Sequence, residues 1–284
     1  MTGPGPKREG PGTRGLWTTG GMGPPVGYPP RRGPRQRRVG VRHARPNGTG
    51  RQPNGTGPGA ITPDGCSVEL YSLLPPIGEP EVVQAAVPAH ASILELGAGA
   101  GRVTHRLVEL GHPVVAVDES AEMLARIRGA ETVVARIQEL RLGRRFEVVL
   151  LGSFLVNTAD RELRRRFLAA CREHVRDDGC VLVQRHEPAW FEAAAEGTRT
   201  TGGITFRLRD LERPGPGLLA ATVEYQVGER VWTQSFTAER LDDELLEAAL
   251  GEVGLVVDAY LTADGSWVRA VPASRGRALG RSPR

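Results

Sequence analysis

Residues 92–101 read Ser92-Ile93-Leu94-Glu95-Leu96-Gly97-Ala98-Gly99-Ala100-Gly101, and after a helix-spaced stretch residues 113–118 read Pro113-Val114-Val115-Ala116-Val117-Asp118. The first stretch is a short β-rich run that enters three glycines and then a helix. Gly101–Leu110 places Val103, Leu107 and Leu110 on one face. The second is an apolar strand ending in an acid. Glycines allow positive φ and let a ligand approach the backbone, and the helix that follows presents free N–H groups at its start. In an open α/β sheet ligands bind at the carboxyl ends of the strands, and an acid at the end of the second strand is placed to accept from ribose hydroxyls.

Two nucleoside cofactors compete for such a loop. A dinucleotide loop needs G-x-G-x-x-G/A. Counted from Gly97, its last position falls on Arg102; counted from Gly99, on Thr104. Neither fits. Glu95 lies two residues before the first glycine, where a carboxylate would repel a pyrophosphate and attract a cationic extension. The loop therefore selects a nucleoside with a positive arm.

The same alternation continues outward. Val68–Leu74 and Glu79–Val87 read as lead-in helices. Ser120 is placed to cap a helix carrying Met123, Leu124 and Ile127. Further strands are expected at Glu131–Ala135, Glu147–Leu151 and Cys180–Gln184, and a strongly amphipathic helix at Asp160–Val175, closed by Asp178-Gly179. Strands that are apolar throughout, alternating with helices, predict a parallel sheet covered on both faces, doubly wound because crossovers are right-handed. The last third differs. Gly203–Asp210, Leu218–Tyr225 and Arg230–Phe236 alternate apolar with polar, which predicts an antiparallel β-meander insertion over 203–236 lying over the active site. A helix follows at Glu239–Val253, with Gly254 as its C-cap. Leu255–Tyr260 and Ser266–Val271 flank Asp264-Gly265 as a hairpin, so that the sheet ends with an antiparallel edge.

Residues 92–123 resemble motif I and the acidic second-strand end of class I S-adenosylmethionine-dependent methyltransferases, with E-L-G-x-G-x-G present in full. The resemblance implies a Rossmann-like α/β sheet, mostly parallel with an antiparallel last strand, and S-adenosylmethionine as cofactor. It implies that Gly97, Ala98, Gly99 and Gly101 form the methionyl side of the site and that Glu95 places that end. Asp118 would hold the ribose, Met123 or Glu119 would flank the adenine, and Ile137 would pack on its face. Ser153 would lie beside the sulfonium. Arg136 stands where the family often has an acid for the adenine amino group.

The acceptor would sit at the fourth and fifth strand ends, Gly152–Asn157 and Arg185–Trp190. Asn157, His186 and Trp190 are the substrate-side candidates. His186 is the candidate general base because imidazole titrates near neutrality; its other reading is a hydrogen bond within the loop. Ser153 and Asn157 also suit capping and turn roles. The remaining histidines form no ligand cluster, and no metal is expected.

Charge divides the chain. Residues 1–60 hold eleven Lys and Arg against Glu9 alone, within an overall +4. That Gly-, Pro- and Arg-rich segment carries too little apolar surface to offset its ordering entropy, so it is expected to be disordered, with a methyltransferase domain over 61–273 and a flexible tail over 274–284. Cys66, Cys171 and Cys180 show no metal-ligand spacing, which suits a reducing, cytoplasmic setting. No run of about 18 apolar residues predicts a membrane span. The favoured reading is methyl transfer to a small-molecule acceptor. The alternatives are RNA or other nucleic-acid methylation using the basic tail, and a cofactor-binding protein without turnover. The sequence leaves the oligomeric state undetermined.

Overall fold

A computed structural model describes residues 54–273. In chain order the elements are β1 (Gly55–Thr56), α1 (Val68–Tyr71), α2 (Glu79–Ala86), β2 (Ile93–Leu96), α3 (Thr104–Glu109), β3 (Val114–Asp118), α4 (Ala121–Leu124), β4 (Glu131–Val134) and β5 (Phe146–Leu151). They continue with α5 (Arg161–His174), β6 (Val175–Gln184), α6 (Trp190–Ala193), β7 (Gly197–Thr201), β8 (Ile204–Glu212), β9 (Leu218–Val227), β10 (Arg230–Glu239), α7 (Asp243–Gly251), β11 (Leu255–Tyr260) and β12 (Trp267–Pro272). Single 3-10 turns occupy Ile137–Glu139 and Leu155–Asn157.

The main sheet has seven strands in the order β11-β12-β6-β5-β2-β3-β4. Strands β4, β3, β2, β5 and β6 are mutually parallel, and β12 runs antiparallel to both β6 and β11. The fold is therefore the expected doubly wound α/β sheet with a reversed last strand. That strand is not the edge, however: β12 is inserted between β6 and β11, and β11 forms the border. Strands β2, β5 and the inner half of β6 are buried on both faces, as their unbroken apolar runs require. The strand order reverses between β2 and β5, so the loop after β2 opens at the switch point.

The second sheet is wholly antiparallel, ordered β1-β10-β9-β8-β7. It is wider than the expected meander: β7 precedes it, β10 runs on to Glu239, and β1 adds an edge. Its alternating inward residues, among them Leu208, Leu219, Val223, Tyr225, Trp232 and Phe236, form a separate core with Leu70 and Phe191. The boundary expected at residue 60 falls inside folded chain. Asn54 accepts from the backbone N–H of Ser235, and Trp232 Nε1 donates to Pro58 O at 2.9 Å. Of the tail expected over 1–60, residues 1–53 lie outside the described residues, as does the tail expected over 274–284.

Two further boundaries shift for physical reasons. Asp178-Gly179 does not close α5; the chain turns straight from the capped helix into β6, where Gly179 packs against Glu147 O so closely that a Cβ would lie 2.5 Å from it. Glu239 belongs to β10 rather than to the next helix, because it is drawn into a buried ion pair with Arg164 on α5; Asp242 caps α7 instead.

Candidate cofactor site

The loop after β2 carries three glycines in left-handed conformation: Gly97 (φ 74°), Gly99 (φ 56°) and Gly101 (φ 87°). They are needed for different reasons. A Cβ on Gly97 would lie 2.6 Å from Leu155 Cδ1, so this glycine lets the loop press on the end of β5. A Cβ on Gly101 would lie 2.8 Å from Ile127 and 2.9 Å from His105, so this glycine serves helix packing and faces away from the cleft.

Beside the loop is a cleft lined by Glu95, Gly97, Ala98, Gly99, Asp118, Glu119, Met123 and Ser153. Eight of the ten residues expected around the cofactor thus meet in one place. Gly101 and Ile137 are the exceptions. Ile137 is buried in the main core, where it backs the loop from behind Gly97.

Asp118 is fixed by the backbone. The Gly99 N–H donates to its Oδ2 at 2.8 Å and the Ser120 N–H to its Oδ1 at 2.9 Å. Burial nevertheless raises its pKa, against those two bonds. Glu95 is 5% exposed and accepts from Thr104 Oγ1 at 2.6 Å. Burial pushes its carboxyl up to about 7, while the Thr104 hydroxyl and Arg102 pull it down. At the outer end Glu119 pairs with Arg136 Nε at 3.3 Å, so the departure noted at Arg136 is absorbed by a neighbouring acid.

The opposite wall was not legible in the sequence. It comes from the segment before α2: Thr62, Asp64, Cys66 and Tyr71 line the cleft, with Arg102 and Leu155. Asp64 accepts from the Thr62 hydroxyl and from the Cys66 thiol. Gln234 of β10 donates to Cys66 Sγ at 3.2 Å and accepts from Tyr71 Oη at 3.0 Å. Burial pushes both the Cys66 thiol and the Tyr71 phenol up. The meander sheet, expected over the active site, reaches this wall through Gln234. None of the cleft-lining residues belongs to it; it backs that wall. A tight Thr62–Cys66 turn with a Thr-Pro-Asp-Gly sequence was the available signal.

The strand ends of β5 and β6 are arranged for packing. Ser153 (φ 52°) and Phe154 (φ 61°) are consecutive non-glycine residues in left-handed conformation, a strained turn of the kind found at functional sites. The Ser153 N–H donates to Gln184 Oε1 at 2.8 Å. His186 is stacked between Phe154 (4.0 Å between ring centres) and Trp190 (4.5 Å). Its Nε2 and the Trp190 Nε1 have no hydrogen-bond partner among the described residues. Burial holds the imidazole pKa down at about 3. Asn157 is engaged on both sides: it accepts from the His186 N–H at 2.8 Å and donates to Glu239 O at 2.9 Å. Asn157, His186 and Trp190 all lie outside the lining of the cleft. The aromatic stack encloses His186 and two hydrogen bonds hold Asn157 at the end of β6, beside two buried ring nitrogens without a partner among the described residues.

Among the described residues, no three His, Cys, Asp or Glu side chains are grouped to hold a metal ion, and no helix is long and apolar enough to cross a membrane.

Residues 93–179 match the family described as a methyltransferase domain. A curated relative, an uncharacterized methyltransferase of Mycobacterium tuberculosis, is 46% identical over 67 residues; the match covers 23% of this chain and 28% of the relative. The chain thus matches little more than a quarter of the length of that relative. Among solved structures, the CcbJ methyltransferase of Streptomyces caelestis superposes with a TM-score of 0.61 at 20% identity, covering 73% of this chain and 96% of the other. An amino pentose methyltransferase from Micromonospora echinaspora superposes with a TM-score of 0.55 at 19% identity, covering 74% and 93%. At such identities the likeness is one of fold.

Proposed function

We propose, for a chain whose residues 93–179 match a methyltransferase domain, that the protein transfers a methyl group from S-adenosylmethionine to a small-molecule acceptor. The observation that carries this reading is the convergence of Glu95, the glycine loop and Asp118 on one cleft at the switch point of the sheet. The donor set fits the cofactor. A buried carboxylate at the loop suits an ammonium, a second at the end of β3 suits a ribose diol, and the open backbone at Gly99, where a Cβ would find nothing nearer than Tyr71 at 3.8 Å, leaves room for a ligand against the loop.

When bound, the cofactor supplies a methyl group activated by a positively charged sulfur. The chain's own part is to align and desolvate the two partners, which is where most of the rate of an in-line displacement can come from. Glu95 holds the amino end, Asp118 the ribose, and Tyr71 with the Thr62–Cys66 turn closes the far wall.

The nucleic-acid reading is disfavoured by charge. Residues 54–273 hold 22 arginines and no lysine against 32 Asp and Glu, and a surface with that excess of acid repels phosphate. The cleft itself presents Asp64, Glu95, Asp118 and Glu119. Amines, among them amino sugars, the acceptor class named for one fold neighbour, head the panel to be tried.

The test is calorimetry with S-adenosylmethionine and its demethylated product, followed by transfer assays over amine acceptors. Wild-type protein should bind both, and Asp118→Ala should weaken binding by about ten- to a hundredfold, the scale of hydrogen bonds to a charged acceptor. Absence of binding by the wild type would remove the proposal. Binding with no transfer to any amine or hydroxyl acceptor would favour a cofactor-binding protein without turnover.

A further inference from the structure

The cofactor's amino-acid end is a zwitterion, and Glu95 accounts for only its ammonium. On the reading above, a carboxylate also has to be met inside a cleft lined by four acids. Arg102 is the one cation among the residues lining that cleft. It is the same residue whose presence removes the third glycine of a dinucleotide loop.

Its side chain is built in rather than draped on the surface. Only 11% of it is exposed, and its Nη1 donates to Glu79 Oε1 at 2.6 Å and to Pro75 O at 3.5 Å. Glu79 is itself 2% exposed, and its second oxygen accepts from the Ile77 N–H at 2.6 Å. The guanidinium is therefore clamped in orientation from the side of α2. A buried ion pair is a poor source of stability, because desolvation offsets the Coulomb gain, so its position on a ligand cleft calls for another reason. Arginine carries five N–H donors in a fixed fork. With Nη1 engaged, the Nε–Nη2 edge donates to no group among the described residues, and that edge matches a carboxylate in a two-bond pairing. Arg102 and Glu95 line the same cleft, so a positive and a negative side chain face one ligand site. This arrangement complements an α-amino acid in one orientation.

We infer that Arg102, held by Glu79, is the residue that binds the carboxylate of the cofactor's methionyl group, and that Glu79 is its positioning residue. The inference rests on the proposed function.

The experiment compares S-adenosylmethionine with its decarboxylated analogue by calorimetry on the full chain. Wild type should prefer the carboxylated ligand by about tenfold or more, the scale of a charge-assisted pair. Arg102→Met should abolish the preference by weakening S-adenosylmethionine alone. Because that variant leaves Glu79 buried without its partner, the double variant Glu79→Gln/Arg102→Met is measured as well. Glu79→Gln alone should reduce the preference in part. Equal weakening of both ligands in the double variant, or an unchanged preference, would overturn the inference. If the wild type binds neither ligand, the proposed function falls and the inference with it. If it binds both equally, the inference alone falls.

Discussion

Glu95 sets the acid–base behaviour of the site. Its carboxyl is pushed by burial from an ordinary 4.5 up to about 7. A raised acid pKa means that the folded chain holds this proton more tightly than the unfolded chain. Its contribution to stability is complete below about pH 4.5 and declines until it is gone above pH 7. Cofactor binding has the opposite sign, because an ammonium prefers the ionised form. Affinity for S-adenosylmethionine should therefore rise as pH passes from 5.5 through 7 and fall again above about pH 8, where the ligand's own ammonium loses its proton, with proton release on binding below pH 7 visible in buffers of different ionisation enthalpy. Glu95→Gln should flatten the rise; the same slope in that variant would assign it to another group. His186 behaves conversely. Its pKa, held down at about 3, makes the folded state favour the neutral ring, so stability is complete above about pH 6.5 and is lost as pH falls toward 3. His186→Phe should remove part of that acid sensitivity. It should also keep methyl transfer near the wild-type rate, whereas loss of a true general base costs about a hundredfold or more. A collapse in kcat with intact cofactor binding would restore His186 to the chemistry.

At the scale of elements, the glycine loop and Asp118 were legible because their signal is local: a strand, three glycines and an acid at a fixed distance. The Thr62–Tyr71 wall was not, because its place in the cleft depends on Gln234, more than 160 residues away. The surroundings of His186 were hidden for a related reason. Being at a strand end is visible in the sequence, but enclosure between Phe154 and Trp190 is not. Glu239 shows the same limit. Its helical pattern is local, yet Arg164 holds it in β10 at 2.6 Å, and Arg164 also donates to Val156 O and Thr158 O. This buried cluster is the clasp between α5 and the meander sheet. Arg161 also pairs with Glu239, at 2.7 Å, so Arg164→Met leaves the buried carboxylate half-paired and should cost about 1–3 kcal/mol in denaturant unfolding. Arg164→Met/Glu239→Met should recover much of the loss, and equal destabilisation by the single and the double variant would show that the half-paired charge is not the cause.

The two sheets form one working unit because a single strap serves both. Residues 54–60 run along β10, through the β1 pairing and the Trp232–Pro58 bond, and residues 62–71 then become a wall of the cofactor cleft. The eleven basic residues of the first 60 all precede this strap. Truncation at two points should therefore give opposite results. A chain beginning at residue 54 keeps the strap and discards the basic segment, so it should retain cofactor affinity and transfer to a small acceptor. A chain beginning at residue 73 loses Thr62, Asp64, Cys66 and Tyr71 together and should lose cofactor binding, even if the main sheet still folds by circular dichroism. The shorter truncation also decides between acceptor classes. If the basic segment recruits RNA, full-length protein should bind it with a steep salt dependence that disappears at residue 54, and RNA methylation should vanish with it. Small-molecule transfer that survives that truncation unchanged would place the acceptor specificity in the acid-lined cleft, and its loss would transfer the argument to the basic arm.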